Sequence, residues 1–121
     1  MRHAVIATIL GCLWAGGAAA APERRCGWLA NPSPANWWLR DRDGEWVLSV
    51  QGVGREPVPG LDSLPDMTTL GWVETNGPHG YGCACLILDT APGGRVVRIL
   101  SGEPLPMQRC RADRTLPPPP G

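Results

Sequence analysis

Two stretches of the chain alternate apolar and polar residues with the two-residue period of a half-buried strand. In the first, Trp37-Trp38-Leu39-Arg40-Asp41-Arg42 and Glu45-Trp46-Val47-Leu48-Ser49-Val50 flank Asp43-Gly44, a dipeptide that favours a type I′ hairpin turn. A turn centred there pairs Arg42 with Glu45, Leu39 with Leu48 and Trp37 with Val50. Trp37, Leu39, Trp46, Leu48 and Val50 then share one face, with Asp41 among them. Trp38, Arg40, Arg42, Glu45, Val47, Ser49 and Gln51 share the other. In the second stretch, Cys83–Thr90 and Arg95–Ser101 flank Ala91-Pro92-Gly93-Gly94. Leu86, Leu88, Val97 and Ile99 line one face of that pair, and Cys83, Cys85, Ile87, Val96 and Leu100 the other. Apolar residues on both faces predict strands near the middle of a sandwich or barrel.

Gly71–Thr75 reads as a further strand and Cys26–Leu29 as a short one. The segment from Gly52 to Leu70 is rich in Gly and Pro, with one helical turn expected near Leu61–Leu64. A loop of that length is either functional or a cover for the core, and here it is expected to fold over Trp38. The predicted fold is all-β, a small antiparallel sandwich or partly open barrel of about five or six strands.

The N-terminus departs from this pattern. Met1-Arg2-His3 is basic, Ala4–Trp14 is an apolar run too short to span a bilayer, and small residues follow to Ala21. Ala18 and Ala20 fit the small-residue positions of a secretory cleavage site. Residues 1–20 are therefore expected to be a signal peptide, 21–115 one β-rich domain, and 116–121 a disordered polyproline tail. A rival reading takes Ile9-Leu10-Gly11-Cys12 as a lipoprotein box. Leu10 is bulky for it, and apolar sequence continues past Cys12, so simple export to the periplasm or medium is preferred.

Charge narrows the field of partners. Every cationic side chain except the histidines is Arg, and removing Arg2 leaves ten against eleven acidic residues. No basic stripe points to nucleic acid, and no polybasic segment points to a membrane surface.

Of the five cysteines, Cys12 leaves with the signal, and Cys26, Cys83, Cys85 and Cys110 form an even set in an exported domain. Cys83 and Cys85 project from one face of a strand about 7 Å apart, too far for a mutual bond without a strained turn. Two pairings remain: Cys26–Cys83 with Cys85–Cys110, or Cys26–Cys85 with Cys83–Cys110. Either ties both ends of the domain to one central strand. The alternative is a metal-handling protein, in which His79, Cys83 and Cys85 hold copper(I) or zinc. Their H-x3-C-x-C spacing lacks the paired C-x2-C units usual for zinc.

Cys26-Gly27-Trp28, Asp41-Arg42-Asp43-Gly44-Glu45-Trp46 and Asn76-Gly77-Pro78-His79-Gly80-Tyr81-Gly82-Cys83-Ala84-Cys85, followed by the late Cys110, resemble the signature of a family of small exported bacterial proteins. The resemblance covers Cys26 to Cys110. It implies the four-cysteine framework and brings no substrate, cofactor or catalytic residue, because that family has no assigned function. Pro78-His79 departs from its pattern, so a family-wide role for His79 is not implied.

His79 is the only histidine of the mature chain, so any His-dependent catalytic triad must use it. No Ser lies in a nucleophile elbow. Asp41, Asp43, Glu45 and Glu74 could supply a carboxylate pair for acid–base work, but Asp43 is accounted for by the turn and Glu45 by its pairing with Arg42. The chain therefore reads as a non-enzyme without a cofactor. The preferred function is a binding or inhibitor-like module, its partner an unknown protein or a cell-envelope glycan. Trp38 beside Arg40 on a polar face, and Asn76, His79 and Tyr81 on a glycine-rich loop, are the candidate contact residues. A structural envelope protein without a defined ligand is the remaining alternative.

Overall fold

The computed structural model describes residues 21–52, 54 and 56–120, together with Ala4 and Gly11. The expected signal segment and Cys12 fall almost entirely outside the described residues. Among these residues the chain runs β1 (Glu23–Ser33), β2 (Asn36–Asp41), β3 (Gly44–Ser49), a 3-10 turn at Leu61–Ser63, β4 (Val73–Asn76), β5 (His79–Ala91), β6 (Arg95–Leu105) and a single-turn helix α1 (Met107–Arg111). The strands form one open antiparallel sheet in the order β3-β2-β1-β5-β4, with β6 pairing further along β5. All-β architecture is what the alternation predicted, and β1, expected to be short, is a long central strand.

The central pair β1–β5 is apolar on both faces, and each face has its own cover. On the inner face, Leu29, Leu39, Leu48, Ala84, Leu86, Leu88, Val96 and Ile99 form the main core. The sheet curls so that β3 approaches β6 around it. The segment after β3 fills the remaining gap: Val58 donates its N–H to the Leu48 carbonyl, and Pro59 accepts from the Ile99 N–H, both at 2.9 Å. Val58, Leu61, Leu64 and Met67 close the core from that side. The expected cover is thus real, but it packs with Trp37 on the inner face and not over Trp38. Gly60 permits it, since its φ is +96° and a Cβ there would lie 2.1 Å from the Ile99 carbonyl oxygen.

On the outer face, Trp28, Cys83 and Cys110 form a second cluster, lined by Tyr81, Leu105, Met107 and Leu116. The disulfides are Cys26–Cys85 and Cys83–Cys110, the second of the two pairings that spacing allowed. Cys26 lies directly opposite Cys85 on the neighbouring strand, while Cys83 pins α1 against the sheet. Leu116 packs on this cluster, and Pro117 accepts a hydrogen bond from the Trp28 indole N–H at 3.1 Å. The chain is therefore docked beyond residue 115, where a free tail was expected to begin.

Three further departures share one cause, local backbone chemistry that interrupts a simple ladder. The first hairpin turns on Arg42-Asp43, pairing Asp41 with Gly44, Arg40 with Glu45 and Leu39 with Trp46. The buried Asp41 carboxylate accepts the N–H groups of Asp43 (2.8 Å) and Gly44 (3.1 Å) and so fixes the turn. Gly44, at φ +136°, takes the one positive-φ position, and type I′ geometry is absent because Asp43 stays at negative φ. A bulge then sets Trp37 opposite Ser49, leaving Val50 beyond the strand and partly exposed. In the second hairpin, bulges at Val97 and Leu100 reverse two assignments. Val96 is buried in the core and Val97 is 42% exposed.

Candidate functional site

Residues directly opposed in a sheet share a face. Register places Val47 opposite Trp38, Trp38 opposite Ala30, Ala30 opposite Tyr81 and Tyr81 opposite Val73. Five strands thus contribute one outward row, Val47–Trp38–Ala30–Tyr81–Val73. The buried Ala30 is its small centre, and the two aromatic side chains stand on either side, about 10 Å apart between Cα atoms at two strand spacings. Val47 is 42% exposed at one end; Trp38, Tyr81 and Val73 are half-buried. Trp28 supports Tyr81 from the same face in an edge-to-face contact, ring centroids 5.5 Å apart. The adjacent row runs Glu45–Arg40–Trp28–Cys83–Leu105, with Arg40 Nε donating to Glu45 at 3.1 Å. The structure therefore brings Tyr81 together with Trp38 and Arg40, which the sequence had already placed side by side on a different element.

Asn76 and His79 lie at the end of this face. Asn76 closes β4, His79 opens β5, and the pair oppose each other across Gly77-Pro78, with Gly77 at φ +57°. What reads in sequence as a glycine-rich loop is thus mostly a tight hairpin. Asn76 is spent on the scaffold, its amide donating to the Pro32 carbonyl at 3.2 Å. His79 is held by a residue that sequence reasoning missed. Asn31, 5% exposed, donates its amide to the carbonyls of Ser33 and Asn36, both at 2.8 Å, and its Oδ1 lies 2.9 Å from His79 Nδ1. The two carbonyl partners fix the amide orientation, since the flipped form would face oxygen to oxygen. With Asn31 Oδ1 an acceptor, His79 Nδ1 must carry the proton. In the neutral ring Nε2 is then a lone-pair acceptor. No alternating pattern marks a buried Asn; the only sequence clue is Asn31-Pro32 at the end of an otherwise apolar strand.

The thiolate set of the metal alternative is not assembled, because the sulfurs of Cys83 and Cys85 are each bonded to another cysteine. Among the described residues no group of three His, Cys, Asp or Glu side chains is placed to hold a metal ion.

The strongest electrostatic cluster lies elsewhere. The Arg25 guanidinium sits 4.3 Å from the Trp46 ring centroid and bonds Glu23 at 2.7 Å, Asp41 at 3.2 Å and Asp43. Partial burial works against its charge, but the bonds to Glu23, Asp43 and Asp41 outweigh that and hold its pKa above the ordinary value. This cluster ties the start of β1 to the first hairpin.

The fold and its bonds define a small disulfide-closed β domain built for an oxidising, extracytoplasmic environment. Among the described residues no helix is long and apolar enough to cross a membrane. The chain belongs to a family of proteins of unknown function (DUF4087), whose model matches residues 20–117. No curated protein and no solved structure matches it.

Proposed function

We propose that the protein is an exported, non-catalytic binding module of the bacterial envelope, periplasmic or secreted, and that it meets its partner with the outer face of the sheet. The observation that carries this reading is the in-register row Val47–Trp38–Ala30–Tyr81–Val73. Aromatic rings flanking a small residue on a rigid, disulfide-backed sheet form a platform that binds with little ordering cost. His79 Nε2 supplies an acceptor at the end of the face. Such a surface suits an envelope protein or a glycan, both of which offer apolar faces edged with donors and acceptors.

The test is capture of partners from an envelope extract by wild-type protein and by a W38A/Y81A double variant. Disulfide formation and thermal melting verify that the variant is folded. Specific retention by the wild type and its loss in the folded variant are expected. Equal retention by both proteins overturns the placement.

A further inference from the structure

A second site lies on the opposite side of the sheet, where the segment that closes the core meets β2. There Trp37, Pro57, Val58 and Leu61 form a largely apolar groove of about 570 Å³, which Glu56 and Asp62 also line. Among the described residues neither carboxylate takes part in an ion pair. The walls are preformed. Val58 and Pro59 are hydrogen-bonded to β3 and β6, Leu61 donates its N–H to the Val58 carbonyl, and Pro57 and Pro59 have fixed φ.

The protein already shows what such a combination holds. Elsewhere in the same domain the Arg25 guanidinium lies over an indole, Trp46, with the carboxylates of Glu23, Asp41 and Asp43 around it. The groove has parts of the same kind, one indole and two carboxylate side chains, around an open volume. Indole faces attract cations, and apolar walls suit the methylene stem of a long basic side chain. We infer that this groove binds an arginine side chain presented by an apolar-flanked segment of a partner protein. Two carboxylates and one ring fit the planar fork of a guanidinium better than a compact ammonium.

The experiment is an NMR titration of the oxidised mature protein, following the Trp37 indole signal and the backbone amides of residues 56–62. The probes are acetyl-arginine amide, the neutral analogue acetyl-citrulline amide, an acetylated Leu-Arg-Leu amide, and spermidine. The expected result is saturable shifts confined to the groove, with citrulline at least about tenfold weaker than arginine and the tripeptide the tightest of the four. Replacing both exposed carboxylates (E56Q/D62N) should weaken tripeptide binding at least about fivefold and leave the melting curve unchanged. Equal binding of citrulline and arginine, shifts away from the groove, or no saturable shift overturns the assignment. Spermidine binding more tightly than the tripeptide overturns the choice of a protein segment as ligand. None of these outcomes bears on the outer face, whose test follows a different surface.

Discussion

Asn31, like Asp41, is a buried polar side chain that makes three hydrogen bonds, and its removal should be costly. In Asn31→Ala, three hydrogen bonds of 2.8–2.9 Å disappear together: two to the carbonyls of Ser33 and Asn36 and one to His79. Each contributes about 1 kcal/mol net, and the two carbonyls lose a partner at a buried site, so a loss of about 3 kcal/mol is expected. For a domain near 100 residues, about 1 kcal/mol shifts the melting temperature by about 4–8 °C, so a fall of roughly 12–24 °C follows. Denaturant and thermal unfolding of the oxidised protein measure the loss directly. The same argument fixes a tautomer, which 15N-detected NMR of the His79 ring reads independently: in the neutral ring Nδ1 is protonated and Nε2 bare. A destabilisation below about 1 kcal/mol in Asn31→Ala, or an Nε2-protonated ring in the wild type, would refute the reasoning.

Three other outcomes are expected. Gly60→Ala combines a positive φ with a Cβ 2.1 Å from the Ile99 oxygen; it should cost about 2–3 kcal/mol and speed amide exchange at Ile99. Removing Cys26–Cys85, which spans 59 residues, should cost about 4 kcal/mol, against about 3.5 for Cys83–Cys110 across 27, as read by denaturant unfolding. Asp113 accepts bonds from the Thr115 hydroxyl and backbone N–H, which hold its pKa below the ordinary carboxylate value. Its folded pKa is depressed, so its contribution is full above the unfolded value of about 3.9 and fades as pH falls through the folded one. An NMR titration of the Asp113 carboxyl should show the lowered midpoint, and Asp113→Asn should remove that pH dependence.

Much of the fold was legible because sheet faces obey parity. The first hairpin turns on Arg42-Asp43 and not on Asp43-Gly44, yet Leu39 still shares a face with Trp46, since moving the turn back by one position changes the pairing by two residues. Parity fails where a bulge adds a single residue, and that exchanged the places of Val96 and Val97. The disulfide set followed from cysteine number and the Cys83–Cys85 spacing, but its pairing depended on how β1 meets β5. The sequence singled out Trp38, Arg40, His79 and Tyr81 as candidates. It did not show that Trp38 and Tyr81 fall in one row, because that is decided by Ala30 on a third strand. Asn31 escaped notice for a similar reason: its role comes from three partners in the folded chain, and no periodicity marks it.

The bridge between β3 and β6 has a consequence for the protein's life at high concentration. A curled sheet that does not close leaves two strand edges, each a template for pairing with another chain. Here the Leu48 carbonyl and the Ile99 N–H are both occupied by Val58 and Pro59. Proline at 57 and 59 removes donors on either side of Val58, so the covering segment cannot itself pass a ladder on to a neighbour. The same residues that complete the core thus blunt the β3 and β6 edges where they meet, and disfavour growth of intermolecular β-structure from that side of the sheet.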